Sequence, residues 1–142
     1  MKHLNKRGTR VMNVLTRQLT QLGHSHVVDN ATGAFMAVHV ERVAAKDPGP
    51  VFSVTHYYEQ NGDLMRDPDM EFLRGADGGY YPISFWQDGA PTLRREAVEW
   101  VGDRIRGYRP RMQADLAAFA NQWLANIKEQ QGVDTSGVPA QP

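Results

Sequence analysis

Apolar residues recur at helical spacing near both ends of the chain. One stripe comprises Val11, Leu15, Leu19 and Leu22. The other comprises Met112, Leu116, Phe119, Trp123 and Ile127. Because steps of three and four residues place side chains on one helix face, a helix is predicted in each segment. Thr9 is a candidate cap for the first helix and Gly23 its stop, while Pro110 and Gly132 bracket the second.

Between these helices, β-branched and aromatic residues alternate with polar ones in short runs that are separated by turn residues. A period of two residues is typical of strands. Strands are predicted over residues 26–28, 34–43, 51–58, 70–73 and 80–86. Residues 96–107 fit either a strand pair or a helix, and Gly102-Asp103 favours a short hairpin.

The order of these elements predicts an α+β fold. We expect an antiparallel sheet of five to seven strands, with the N-terminal helix and the long C-terminal helix packed on one face. The single domain is predicted to span residues 9–131. Residues 1–8 are expected to form a flexible basic segment, and residues 132–142, which lack periodicity, a disordered tail.

Composition narrows the class of protein without indicating an activity. The 142 residues include no cysteine, and 16 basic residues balance 16 acidic ones. The lack of cysteine excludes a disulfide scaffold, a thiol nucleophile and cysteine-ligated metals. No apolar run approaches the length of a membrane span, and no apolar segment of a secretory signal follows the basic first residues. We therefore expect a cytoplasmic protein that does not contact a membrane.

Charge is segregated along the chain although the formal net charge is zero. The residues before Asp29 include basic side chains but no acidic one, residues 59–88 are mainly acidic, and residues 94–111 are rich in arginine. The arginines that are weak candidates for binding nucleic acid are Arg94, Arg95, Arg104, Arg106 and Arg109. The favoured alternative is that these arginines lie in water along an edge strand, where their charge prevents the strand from pairing with another sheet.

Polar and acidic side chains are densest over residues 56–72. The candidate binding residues of this segment are His56, Asn61, Asp63, Asp67, Asp69 and Glu71. Asn61-Gly62-Asp63 predicts a turn and Pro68 predicts a break in any strand, so the four carboxylates are expected to converge on one loop. Carboxylates so placed would suit Mg²⁺ or Ca²⁺. Hydrogen bonds from backbone N–H groups to these carboxylates within the turn are the favoured interpretation.

The histidines raise a second metal hypothesis. His24 and His26 share a predicted strand face, as do His39 and Glu41, and His56 lies on the next strand. These imidazoles would suit zinc, but no HExxH-type spacing is present, so hydrogen-bonded sheet histidines are the favoured interpretation. No catalytic residue, metal or cofactor is predicted, because the sequence has no motif for a nucleophile or a phosphate-binding loop.

Three runs of the sequence carry a resemblance to known proteins. They are HYYEQNGDLMRDPDMEF, YYPISFWQDG and RPRMQADLAAFANQWLANI. These runs resemble a family of small proteins of unknown function that are encoded mainly on bacterial plasmids, integrative elements and phages. The resemblance spans roughly residues 29–131 and is most specific at NGDLM with the following DP and Met70. It implies an accessory role for a mobile element: transfer, maintenance or the blocking of a host defence.

Two functions of different classes follow from these observations. The favoured hypothesis is a non-catalytic interaction module, which binds a protein partner or, less favoured, a nucleic acid through its charged segments. The alternative is a metal-dependent hydrolase acting on phosphodiesters, with Asp63, Asp67, Asp69 and Glu71 as ligands and His56 as a base. A homodimer through an open sheet edge or the Trp123 face is compatible with either hypothesis.

Overall fold

Two helices stand at the ends of a run of eight strands in the computed structural model, which describes residues 1–140. Helix α1 spans Lys6–Thr16 and helix α2 spans Pro110–Gln131. The strands are β1 (Ser25–Val28), β2 (Val38–Ala45), β3 (Pro50–Gln60), β4 (Asp63–Arg74), β5 (Tyr80–Gln87), β6 (Leu93–Glu96), β7 (Val98–Val101) and β8 (Arg104–Tyr108). The predicted α+β class is confirmed.

Strands β1 to β6 form one antiparallel sheet, in which each strand pairs with the next along the chain. These six strands agree with the predicted number. Strands β7 and β8 form a separate two-stranded sheet, so the hairpin predicted within residues 96–107 is confirmed. The N–H of Ala97 donates to the carbonyl of Ile83 on β5 (2.8 Å), which ties the start of this hairpin to the main sheet.

Both helices pack on the same face of the sheet, as predicted. Val54, Met70 and Phe72 of β3 and β4 join Val11 of α1 and Leu124 of α2 in one buried apolar cluster. A second cluster comprises Val51, Leu73, Ile83 and Val98. Because side chains alternate between the faces of a strand, this second cluster lies on the opposite face, beneath the β7–β8 hairpin. The hairpin therefore covers one part of that face.

Helix α1 begins earlier and ends earlier than its apolar stripe predicts. Asn5, not Thr9, is the N-cap, because its side-chain oxygen accepts the N–H of Gly8 (2.8 Å). The helix ends at Thr16, so Leu19 is buried from the following turn. Leu22 lies outside the helix and is exposed. The bounds predicted for the first helix are therefore wrong by several residues at each end.

The first residues of the chain contact the domain, although residues 1–8 are predicted to be flexible. The side chain of Leu4 is only 1% exposed, and its N–H donates to the carbonyl of Tyr80 (2.9 Å). The buried amide of Gln113 accepts from the N–H of Lys2 and donates to its carbonyl, both at 2.7 Å. This segment forms part of the domain because its backbone groups bond to α2 and β5.

The residues after α2 also make defined contacts where they are described. Gly132 ends the helix in the left-handed conformation (φ 61°), as its position predicts. Val133 is buried, and the side-chain amide of Asn13 donates to the carbonyl of Pro139 (2.9 Å). The last two positions of the predicted disordered tail, 141–142, lie outside the described residues.

Three apolar residues of the predicted elements are exposed in the structure. Phe119, a member of the predicted α2 stripe, is exposed, whereas Ala120 and Leu124 are buried beside that stripe. Strand β2 begins at Val38 and not at residue 34, which leaves Phe35 and Met36 exposed in a preceding turn.

Candidate binding site

Strand β4 runs without interruption through Pro68, where a break is predicted. Thr55 of β3 pairs with Asp69, and Tyr57 pairs with Arg66, so Asp67 and Pro68 together lie opposite the single residue His56. This arrangement is a β-bulge. Proline is tolerated in a bulge, because the residue there leaves the regular ladder of hydrogen bonds. The predicted loop is therefore wrong, and only Asn61 and Gly62 separate β3 from β4.

The bulge separates the carboxylates that are predicted to converge. On the turn side of the bulge, Arg66 pairs with Tyr57 of β3, and its side chain lies on the same face as Asp69 and Glu71. Asp67 instead lines a cavity on the helix side, together with His56. Asn61, in a left-handed turn conformation (φ 54°), and Asp63 are exposed at the end of the hairpin. The six candidate residues thus occupy three places: the open face, the helix side and the β3–β4 turn.

The open face of the sheet carries two parallel rows of cross-strand neighbours, here called the polar face. The first row comprises Val27, His39, Thr55, Asp69, Trp86 and Arg94. The second row comprises Ser25, Glu41, Ser53, Glu71, Ser84 and Glu96. Directly opposed side chains in antiparallel strands lie within contact distance. The two rows therefore form one continuous surface of hydroxyls, carboxylates and aromatic rings.

Asp69 and Glu71 stand side by side at the centre of the polar face. Both are partly buried, and burial is the main cause that raises the pKa of each carboxyl. Ser84 donates its hydroxyl to Glu71 Oε1 (3.0 Å), whereas Asp69 Oδ1 is buried and accepts no hydrogen bond from residues 1–140. Neither carboxylate belongs to an ion pair within those residues. Two neighbouring anions are thus held there without a cation.

Arginines crowd one end of the polar face but are already engaged. The guanidinium carbons of Arg66 and Arg94 lie 3.5 and 4.0 Å from the centre of the Trp86 ring. Arg66 also donates to both carboxylate oxygens of Asp88, at 2.9 and 3.2 Å, and these hydrogen bonds hold the pKa of Asp88 below its usual value. Arg94 pairs with Glu96 (3.1 Å). These cations therefore form no ion pair with Asp69 or Glu71.

His56 and His39 lie on opposite faces of the sheet. His39 contacts Tyr57 edge to face on the polar face, with 4.9 Å between ring centres. His56 is 5% exposed on the helix side and meets Trp123 in the same manner, at 5.3 Å. Burial is the first cause that lowers the pKa of His56, so its ring is neutral near pH 7. The histidine grouping considered for zinc is therefore divided by the sheet.

The part of the chain that the structure describes offers no ligand set for a metal. No three of its histidine and carboxylate side chains are placed to hold one ion. Asp63, Asp67 and Asp69 lie at the turn, on the helix side and on the polar face, respectively. The hydrolase hypothesis requires these carboxylates to coordinate the same metal ion. Because they lie apart, these residues do not form such a site.

The arginines proposed as a weak nucleic-acid site are dispersed. Arg94, Arg104 and Arg106 each pair with a carboxylate, and Arg109 donates to the carbonyl of Glu96 (2.9 Å). Arg95 points to the helix side of β6 and lines a groove against α2. The positive charge of three of the five arginines is therefore balanced by a carboxylate, which weakens the concentrated positive charge that phosphate binding requires.

One family is similar to the chain over most of its length. A sequence model of the family described as a domain of unknown function, DUF6908, matches residues 9–133. The chain belongs to the DUF6908 family. No curated protein and no solved structure matches it significantly. The predicted membership of a family of unknown function is confirmed, and its association with mobile elements stays a prediction.

The side chains of the polar face that the sequence does not single out in this DUF6908 domain include Ser53, Thr55, Ser84 and Trp86. The alternation of apolar and hydroxyl residues over residues 52–55 is the signal that indicates a polar strand face. The register that brings these residues beside Asp69 and Glu71 depends on two bulges in β4 pairings, and these leave no clear mark in the sequence.

No helix within residues 1–140 has the length and apolar character needed to cross a membrane.

Proposed function

We propose that the protein is a non-catalytic interaction module that binds a basic segment of a protein partner on the polar face of its sheet. The observation that carries this proposal is the pair Asp69 and Glu71, partly buried and without a cation. A carboxylate withdrawn from water without a charge partner costs free energy. A lysine or arginine of a partner would supply that charge, so binding would relieve the cost.

The side chains around this pair support an interface. Trp86, Tyr57 and His39 present aromatic rings on the same face, and aromatic residues are enriched where proteins meet. Ser53 adds a half-buried hydroxyl that can donate or accept a hydrogen bond, whereas Thr55 and Ser84, 2% and 7% exposed, lie beneath the surface. These features favour a peptide-like partner with alternating basic and small residues over a polyanion, which the central carboxylates would repel.

The resemblance to proteins of mobile elements gives this module a biological setting. An accessory role in transfer, maintenance or the blocking of a host defence is the setting we propose. The basic partner would then be a protein that handles the element or defends the host. A survey of the genes that neighbour this one, across the genomes in which it occurs, is the direct check on that setting.

Binding of short fluorescent peptides tests the interaction. We expect an arginine-rich peptide to bind, and the same peptide with glutamate in place of arginine to fail. The double variant Asp69→Asn/Glu71→Gln should weaken binding by about tenfold or more, since each tenfold is about 1.4 kcal/mol and a desolvated charge pair contributes at least that much. Fluorescence anisotropy at fixed ionic strength measures the affinities.

A matched control is available on the exposed β3–β4 turn. Glu59→Gln/Asp63→Asn removes the same two kinds of charge from exposed positions and should leave the affinity within about twofold, because surface charges are screened. Equal weakening by both double variants would show a general charge effect and contradict the proposal. Binding of single-stranded DNA in place of the basic peptide would also contradict it.

A further inference from the structure

A groove of about 450 Å³ lies between α2 and the edge strand β6, on the helix side of the sheet. Its size is within the range of binding clefts, which are lined mainly by apolar side chains with a few polar groups. The polar face lies on the other side of the same strand, because the side chain of Arg95 points away from those of Arg94 and Glu96. The groove is therefore a surface separate from the polar face. Its apolar lining comprises Phe85, Leu93, Met112, Leu116 and Phe119.

Two of these apolar side chains are exposed, one on each wall of the groove. Leu93 of β6 is 38% exposed, and Phe119 of α2 is 45% exposed. The other three are covered: Leu116 is buried, and Phe85 and Met112 are partly buried against the main apolar cluster. Exposed apolar side chains that share one groove are typical of interaction sites, whereas isolated ones are common on any protein surface. The groove therefore offers apolar contact area to a partner.

Contacts within the domain hold Phe119 in place. Its ring meets Phe85 edge to face, with 5.4 Å between the ring centres, and its centre lies 6.3 Å from that of the Trp123 ring. Aromatic rings at such separations attract each other. A groove whose wall is fixed before binding loses less conformational entropy when it is filled. The free protein thus already presents the shape that a partner would contact.

Arg95 and Arg111 bring positive charge to this groove. Both are exposed, and neither belongs to an ion pair within residues 1–140. The other arginines of residues 94–111 each donate to a carboxylate or a carbonyl: Arg94, Arg104, Arg106 and Arg109. The two arginines of that segment without a partner among the described residues therefore line the same apolar groove.

Asp115 adds one negative charge on the α2 wall of the groove. It lies one helix turn after Arg111 and forms no ion pair with it. Two positive charges against one negative leave the groove positive. The start of α2 adds to this, because its first turn has no acidic residue and no side chain caps it, so the positive end of the helix dipole is not neutralised there. The groove therefore favours an anionic group beside an apolar one.

We propose that this groove binds a segment of a partner protein in which large apolar side chains are flanked by carboxylates. The apolar side chains would pack between Leu93 and Phe119, and the carboxylates would pair with Arg95 and Arg111. A nucleic acid fits less well, because two arginines beside an aspartate do not supply the concentrated positive charge that phosphate binding requires. The site selects the opposite charge from the polar face, so peptides of opposite charge distinguish the two surfaces.

Fluorescence anisotropy of short labelled peptides with the full chain tests the chemistry of the occupant. The probe contains leucine and phenylalanine flanked by glutamates. One matched peptide has glutamine in place of glutamate, and the other has alanine in place of leucine and phenylalanine. We expect the probe to bind and each matched peptide to bind about tenfold more weakly, because it loses either the ion pairs or the apolar contacts. Equal affinity for the three peptides, no binding of the probe, or tighter binding of single-stranded DNA would overturn the proposal.

Charge variants locate the binding at the groove. Arg95→Gln/Arg111→Gln should weaken binding of the probe about tenfold, because two exposed ion pairs are lost together. Arg104→Gln/Arg106→Gln is the matched control, since it removes the same charge from exposed arginines of β8, and it should change the affinity by less than about twofold. Asp115→Asn should strengthen binding, because it removes a negative charge from the groove. Equal weakening by the two double variants, or weaker binding by Asp115→Asn, would contradict the assignment.

Apolar variants test the two walls of the groove. Phe119→Ala should weaken the probe about tenfold by removing apolar contact. Leu93→Ala repeats the test on the β6 wall, where truncation removes no contact between aromatic rings. Leu64→Ala, at an exposed apolar residue of the β3–β4 turn, is the control and should leave the affinity unchanged, and thermal melting checks that each variant is folded. Unchanged binding in both Phe119→Ala and Leu93→Ala would place the peptide elsewhere and sink the proposal.

Discussion

Asp69 holds a negative charge at a position that favours the neutral form of its carboxyl. Burial raises its pKa, and the nearby Thr55 and Arg66 offset this only in part. Glu41 and Asp88 add to the rise in the pKa because they carry the same charge. The folded protein therefore binds a proton at Asp69 more tightly than the unfolded chain does. Stability from this residue accordingly falls as pH rises above the ordinary aspartate value of 3.8.

The variant Asp69→Asn should therefore be more stable than the natural protein at pH 7, and this advantage should shrink as the pH approaches 3.8. The reason is that asparagine keeps the shape of aspartic acid without its charge. Urea unfolding at several pH values measures the difference. An advantage that grows toward low pH has the wrong sign and would refute the account of Asp69.

Single residues also show where sequence reasoning stops. Pro68 predicts a break in the strand, yet the bulge accommodates it, and the side chains on either side change faces. Asp67 and Asp69 are two positions apart and would share a face on a regular strand. In the structure they lie on opposite faces. The sequence therefore offers candidate residues by type, but their grouping depends on pairing geometry that one sequence does not encode locally.

Among the elements, the β7–β8 hairpin decides how much of the sheet's second face is open. Val98 on β7 is 5% exposed and packs on Val51, Leu73 and Ile83, whereas Val101 on the same strand is 58% exposed. The covered part of the face is apolar, and the uncovered part carries the two polar rows. The hairpin therefore sets one boundary of the candidate binding surface.

Truncating the buried side chain of Val98 should weaken the packing of the β7–β8 hairpin on the sheet. Val98→Ala should lower the free energy of unfolding by about 2 kcal/mol, since two methyl groups leave a packed site. Val101→Ala, the exposed neighbour on the same strand, should change it by less than about 0.5 kcal/mol. Chemical denaturation compares the two variants. Equal effects of the two substitutions would mean that the hairpin does not pack as described.

The helices and most strands follow from sequence periodicity because each has a long apolar stripe or clear alternation. Pro110 and Gly132 bracket α2 in the structure as they do in the sequence. The bounds of α1 are missed, because a polar residue, Asn5, caps it before its apolar stripe begins. The 31–36 segment is missed as well, since its hydrogen bonds to Gln131 join residues about a hundred positions apart.

At the scale of the whole molecule, a net charge of zero conceals an uneven distribution of charge over the surface. Arg94, Arg104 and Arg106 of the later strands are paired with carboxylates, whereas the central carboxylates of the polar face belong to no ion pair. Linear charge segments do not map onto separate surfaces, because antiparallel pairing places β6 in the same sheet as the acidic strand β4, with only β5 between them. The unpaired carboxylates at the centre of one sheet face are the basis on which we propose a basic partner.

Mapping amide chemical shifts during titration with the arginine-rich peptide tests that central claim most directly. The account predicts that the largest changes fall on the central positions of the two rows, Thr55, Asp69, Glu71 and Ser84, and that the β3–β4 turn stays unperturbed. Changes centred on the arginines of β8, or changes spread evenly over all exposed carboxylates, would contradict the assignment of the polar face as the binding surface.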